Sequence, residues 1–283
     1  MNLLTGLTRI LLSLAVLAAL WANPAATQDR SPTGNDNQES VSAAPQGKIL
    51  PPRQGYRFPL GQTYVYGVEW HLINAGTATL GIDAAGEHHR ISVHADSSGV
   101  VNLLYKVRDQ FEALIDPHTF CSVHLFKHTE EGSRKRETNI TYDYTRRKSI
   151  LDEKNLKKNE SKHLENDIPE CVSDVVSGFY YVASLSLEPG STMTFPINDG
   201  KTTLVQAVAE KREQVKVPAG TFQTVVVSAE AISGPLKGKG NVEIWFSDDA
   251  NHTPVQMKSK LGWGSLLFRL QRIDKATVSP QSQ

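Results

Sequence analysis

Tyr64, Tyr66, Val68 and Trp70 fall on one face of an extended segment, with Thr63, Val65 and Glu69 on the other. Side chains of a strand point alternately to the two faces of its sheet, so a period of two specifies a half-buried strand. The same period returns at Ala78–Ile82, Ile91–Ala95, Gln110–Ile115, Phe120–Lys127, Glu137–Tyr142 and Met193–Ile197. It continues through Leu204–Val208, Phe222–Ala231, Val242–Phe246, Val255–Lys258 and Leu266–Leu270. Turn chemistry separates most of these segments, as at Asn74-Ala75-Gly76, Asp116-Pro117, Asn198-Asp199-Gly200 and Pro218-Ala219-Gly220. Such a chain is predicted to be mainly β: a large curved antiparallel sheet, open or half-closed into a barrel or spiral. Each strand has one apolar face, so the sheet must close on itself or curl over something.

Two segments break the alternation. Gly99 to Val107 predicts a short helix, and Val172 to Leu185 a longer one with Ser173 as its candidate N-cap. On the longer helix Val172, Val175, Val176, Phe179, Tyr180 and Val182 form a broad apolar stripe. A helix of this kind plugs an open end or lies on a concave face. Ordinary core filling is the alternative, and it is the better account of the aromatic pair.

The ends of the chain read differently. Arg9, an apolar run from Ile10 to Trp21 and the small residues around Ala22–Ala26 have the layout of a secretory signal peptide over residues 1–26. The run is shorter than the roughly 20 residues of a spanning helix, so no stable span is expected after cleavage; an N-terminal anchor is the alternative. Residues 27–58 are rich in Ser, Asn, Gln, Pro and Gly and predict a disordered tether. A single β domain then covers residues 59–274, and 275–283 form a disordered tail. Cys121 and Cys171 are the two cysteines, and in an oxidising compartment an even pair reads as a disulfide. Two unrelated buried thiols are the alternative.

Thirty basic and thirty acidic residues balance, so no whole-molecule field points to nucleic acid. Glu130 to Asp167 is the most charged stretch, with acids and bases closely interspersed. It reads as a solvated hairpin, with a patch for phosphate-bearing lipids or glycans as the alternative. No hydrolase, dinucleotide or phosphate-loop motif occurs. His118, His124 and His128 share strand parity, but an extended strand sets His124 and His128 about 13 Å apart, too far for one metal ion. Asp248-Asp249 sits in good turn composition. Neither a metal nor a cofactor is expected.

Several stretches, taken in order, carry a resemblance. They are Tyr66-Gly67-Val68-Glu69-Trp70 with Ala75-Gly76, Tyr105-Lys106-Val107-Arg108-Asp109, and Val172 through Tyr181. Val217-Pro218-Ala219-Gly220-Thr221-Phe222 and Ile244-Trp245-Phe246-Ser247-Asp248-Asp249 with Thr253-Pro254-Val255 complete the set. From Tyr64 to Leu270 the chain resembles the bacterial domain-of-unknown-function family 3108, although many members have Pro-Leu-Ser where this chain has Val176-Ser177. The resemblance implies a periplasmic protein of a Gram-negative cell on a strongly curved antiparallel sheet, similar to lipoprotein carriers and envelope-integrity proteins. It implies no catalytic residues.

The leading expectation is a non-enzymatic binding or scaffold protein that holds a lipid, an acyl chain or an envelope polypeptide. Tyr64, Tyr66, Trp70, Phe179, Tyr180 and Trp245 are the candidate groove residues, with Val68 and Phe268 also on the concave face. A purely structural envelope protein and, less favoured, a hydrolase are the alternatives. A side-chain-filled barrel would favour the structural reading, and an open apolar groove the carrier.

Overall fold

The computed structural model describes residues 47–238, 240–261 and 264–276. The expected signal peptide, residues 27–46 of the expected tether and 277–283 of the expected tail lie outside the described residues. The first half of the chain forms β1 (Gln62–Trp70), β2 (Ile73–Ala85), β3 (His88–Ser97), helix α1 (Gly99–Leu104) and β4 (Val107–Ile115). β5 (Ser122–Glu131), β6 (Arg134–Asp143), β7 (Lys148–Asn155) and β8 (Glu160–Asp167) follow. Helix α2 (Ser177–Ser184) precedes β9 (Thr192–Asn198), β10 (Thr202–Val217) and β11 (Gly220–Ala231). β12 (Asn241–Ser247), β13 (Pro254–Leu261) and β14 (Gly264–Lys275) end the described chain. All fourteen strands join one antiparallel sheet in the order β8-β7-β6-β5-β4-β3-β2-β1-β14-β13-β12-β11-β10-β9.

The sheet curls but does not close: among the described residues β8 and β9 have no second strand as neighbour, and β9 is met only by short segments such as Ser173, bridged to Ile197. Register shifts at Val65/Tyr66, Val68/Glu69, Leu114/Ile115, Ala209/Lys211 and Trp245/Phe246 supply the bend. Each such bulge increases the local right-handed twist. At Gly76 the strands approach so closely that a Cβ would lie 2.1 Å from the Asp96 carbonyl oxygen. Side chains, rather than a ladder, bring the β9–β10 turn against the inner face of β5–β8. Tyr142 donates to the Asn198 carbonyl at 2.7 Å and Asn166 to the Gly200 carbonyl at 2.8 Å. Lys127 donates to Asp199 in a buried ion pair.

Inward positions of β1–β4 carry Tyr64, Tyr66, Val68, Leu80, Ile82, Ile91, Phe111 and Ile115 in one continuous core. The outer edge, β6 to β8, is instead laced by exposed pairs such as Arg146–Glu165 at 3.1 Å and Lys148–Asp167 at 2.7 Å. Charge on an edge strand discourages pairing with another chain. The charged stretch is therefore a set of solvated strands.

Five expectations need correction. Helix α2 starts at Ser177, because residues 172–174 are extended: Ser173 bridges Ile197 in parallel, and Val172 accepts from the Ser122 N–H at 2.9 Å. Capping falls to Asp174, whose carboxylate accepts from the N–H groups of Val176 and Ser177, both at 2.8 Å. Helix α1 stops at Leu104, since Val107 already opens β4 and its N–H bonds the Ser97 hydroxyl at 2.8 Å. The bulge opposite Leu114/Ile115 skips Val123, so Ser122 and Leu125 both turn inward against the simple parity of that strand.

The end of the expected tether is the fourth case, for residues 47–58 pack on the domain. Ile49 is buried, Leu50 donates its N–H to the Tyr181 hydroxyl at 3.0 Å, and the Phe58 ring lies 4.9 Å from that of Phe120. Two apolar anchors, Ile49 and Phe58, and a backbone hydrogen bond from Leu50 suffice to hold it without any periodicity. At the other end, Lys275 still pairs with Gln62, so β14 takes the first residue of the expected tail. Cys121 and Cys171 form a disulfide with Cα atoms 5.1 Å apart, tying the start of β5 to the segment that leads into α2.

Candidate functional site

A small apolar cavity of about 60 Å³ lies between the concave face and α2. Tyr66, Leu80, Val93 and Phe111 form one wall, Met257 and Phe268 another, and Phe179 of α2 covers it. Asp109 is the only carboxyl of the lining. It shares strand parity with Phe111, Ala113 and Ile115, so the alternation of β4 delivers a carboxyl to an inward position. Its Oδ1 accepts the N–H of Glu130 at 3.1 Å. Burial, reinforced by the neighbouring Glu131 carboxylate, raises the Asp109 pKa to about 8. Glu131 is itself buried and pushed up by desolvation, and one of its oxygens has no partner among the described residues. Two inward carboxyls thus stand near an apolar chamber, and Asp109 is largely neutral at neutral pH.

The predicted groove residues divide into three groups. Tyr66 and Phe179 line the cavity, as does Phe268. Tyr64 of β1 and Tyr180 of α2 do not: both are almost fully buried where the helix meets the sheet, packed with Tyr56, Pro254 and His252 where no cavity remains. Burial raises their phenol pKa values, and the Tyr180 hydroxyl finds no partner among the described residues. Val68 is wholly buried in the core. Trp70 ends β1 with its ring 5.0 Å from that of His71. Trp245 lies on the opposite face of β12 from the core residues Ile244 and Phe246, and its indole N–H donates to Glu213. The one-residue alternation of a strand explains this exclusion.

No motif in the sequence singles out Asp109, Lys127 or Glu131. Their signal was parity, since a polar residue in step with Phe111 or Leu125 points inward. A larger, open depression of about 650 Å³ lies on the outer face, lined by His94, Arg108, Phe126, His128, Glu130 and Glu137 among others. Its charges satisfy one another: His128 Nδ1 lies 3.1 Å from Glu137, and Lys135 donates to Glu130 at 2.9 Å, holding that carboxyl below its usual range. Among the described residues no group of three or more His, Cys, Asp or Glu is placed to hold a metal ion. Asp248 and Asp249 form a turn in which Asp249 accepts the Asn251 N–H at 2.8 Å.

Comparison with known proteins settles the family. The model of a protein family of unknown function, DUF3108, matches residues 65–271. The chain belongs to the DUF3108 family. Among solved structures it is similar to a β-barrel-like protein of the domain of unknown function DUF1849 from Brucella abortus, with TM-score 0.52 and 9% identity over 81% of this chain and 98% of that one. That likeness is one of fold. A proposed exported protein with a YmcC-like fold from Bacteroides fragilis matches with TM-score 0.31 and 10% identity over 78% of this chain and 98% of the other. A proposed lipoprotein from Parabacteroides distasonis matches with TM-score 0.30 and 11% identity over 77% and 97%. No curated protein matches this DUF3108 chain. No helix among its described residues is long and apolar enough to cross a membrane.

Proposed function

We propose that this DUF3108 protein is an exported, periplasmic, non-enzymatic binding protein of the cell envelope that seats part of an acyl chain in its concave face. The observation that carries this reading is the apolar chamber under Phe179, with Asp109 as its single carboxyl. A carboxyl kept mostly neutral by burial can donate a hydrogen bond to an ester or acid group without imposing charge on an apolar guest. Export is supported by the signal-peptide layout of residues 1–26.

Volume limits the guest. About 60 Å³ is far below the roughly 300–1,000 Å³ of small-molecule sites, so binding requires Phe179 to swing away. The same number favours a second reading, a structural envelope protein whose interior is already filled. Titration with a fluorescent acyl probe separates them. Phe179→Ala removes the ring that fills the site, and tighter probe binding by this variant than by the parent supports the carrier. Failure of both proteins to bind, with melting temperatures showing both folded, leaves the structural reading.

A further inference from the structure

Alternate connections of an antiparallel meander lie at opposite ends of its strands. One end gathers residues 71–72, the α1 connection 98–106, and turns 132–133, 156–159, 199–201 and 232–240. The most exposed large apolar side chains of the described residues are all there. Leu72 is 92% and Leu103 85% exposed, and Ile73, Val100 and Leu104 are each more than half exposed. They belong to one patch, because α1 packs on β2 and the Asn74 side chain accepts from both the Gly76 N–H at 3.1 Å and the Ser98 hydroxyl at 3.4 Å. Single exposed leucines are ordinary on a protein surface, but a cluster at one tip is not.

Charge is sorted along the same axis. The described residues of these connections expose Lys106, Lys157, Lys158, Lys201 and Lys237. Their one acid, Asp199, is buried against Lys127. Connections at the other end expose Glu87, Glu170, Glu188, Asp248 and Asp249, together with Arg146 and Arg147. A chain of balanced total charge therefore has one basic, apolar tip.

We propose that this tip docks on a lipid bilayer bearing anionic headgroups. Leu72, Ile73, Val100, Leu103 and Leu104 enter the headgroup region while the lysines of the other connections at this end meet lipid phosphates. A second copy is the weaker occupant, because a two-fold pair would set each lysine fringe against its like. Docking would also bring the upper strand ends that carry Ala95, Asp109, Val242 and Ser259, all lining the cavity, to the membrane surface. The proposal goes beyond the acyl-binding reading and stands without it.

Flotation with vesicles tests it, using phosphatidylcholine alone and an equal mixture with phosphatidylglycerol. The protein should float with the mixture and not with phosphatidylcholine alone. The double variant Leu72→Asp/Leu103→Asp should weaken binding at least about tenfold at unchanged melting temperature, since both side chains stand in solvent. Lys157→Glu/Lys158→Glu should weaken it and reduce its salt dependence. The proposal is overturned if the protein ignores anionic vesicles, if Leu72→Asp/Leu103→Asp binds them like the parent, or if sedimentation reveals a dimer that this variant splits. Loss of vesicle binding with retained probe binding in Leu72→Asp/Leu103→Asp supports the tip as a surface separate from the cavity. Vesicle binding by a parent that takes up no acyl probe likewise supports the tip and defeats only the acyl reading.

Discussion

Asp109 shows what one inward polar residue does to a sheet. Its pKa of about 8 lies above the roughly 3.9 of an unfolded aspartate, so between those values the folded state holds a proton that the unfolded chain releases. Stability from this group is fully present below about pH 4, falls as pH rises, and levels off above about pH 8. Asp109→Asn keeps an oxygen to accept the Glu130 N–H and cannot ionise. Its melting temperature should exceed the parent's by a margin that grows from pH 4 to pH 8. A constant margin across that range would remove the buried carboxyl from the account. Position also decides which aromatic residue reports on binding. Tyr180 is 2% exposed, so Tyr180→Asp would bury a charge and unfold the protein, whereas the neighbouring Phe179 is only partly buried and faces the chamber. Sequence periodicity places both on one apolar stripe and cannot rank them, because only the packed sheet determines which ring meets the cavity.

At the scale of elements, the join between α2 and the sheet relies on two devices that the chain places side by side. The Cys121–Cys171 bond closes a separation of 50 residues, which in the chain-entropy view is worth about 4 kcal/mol. Asp174 is buried among four donors: the Ser122 and Ser177 hydroxyls and two backbone N–H groups. Burial still holds its pKa above the ordinary value, those bonds acting against it. Cys121→Ser/Cys171→Ser should lose about 2–5 kcal/mol in denaturant unfolding, and thiol titration of the unreduced, unfolded parent should find no free thiol. The seam between β5–β8 and the β9–β10 turn relies on Lys127 and Asp199. Lys127→Ala leaves a buried acid and should cost about 3–5 kcal/mol, while Lys127→Met/Asp199→Leu should recover most of it. Equal losses in single and double variants would mean that the pair does not hold the seam.

For the whole molecule, a period of two and its turn residues were enough to read one large antiparallel sheet from the sequence. The same signal hid the bulges: Ser122 and Leu125 both face inward because Val123 is skipped, and no pattern of residue types marks that step. The apolar stripe overruns the start of α2 because Val172 suits a buried extended segment as well as a helical face. Of the expected groove, Tyr66 and Phe179 met in one place while Trp245 went to the other face, since closure of a curled sheet is decided by contacts far apart in the chain. Charge sorting between the two ends was legible only once strand directions were known, because the lysines at 106, 157, 158, 201 and 237 are scattered in sequence.

The central claim is that the concave face takes an acyl-bearing guest, and native mass spectrometry of protein purified from its own organism tests it most directly. The account predicts an adduct of lipid or lipidated-peptide mass on the parent, retained or increased in Phe179→Ala. Bare polypeptide mass for both, from folded protein, would contradict it.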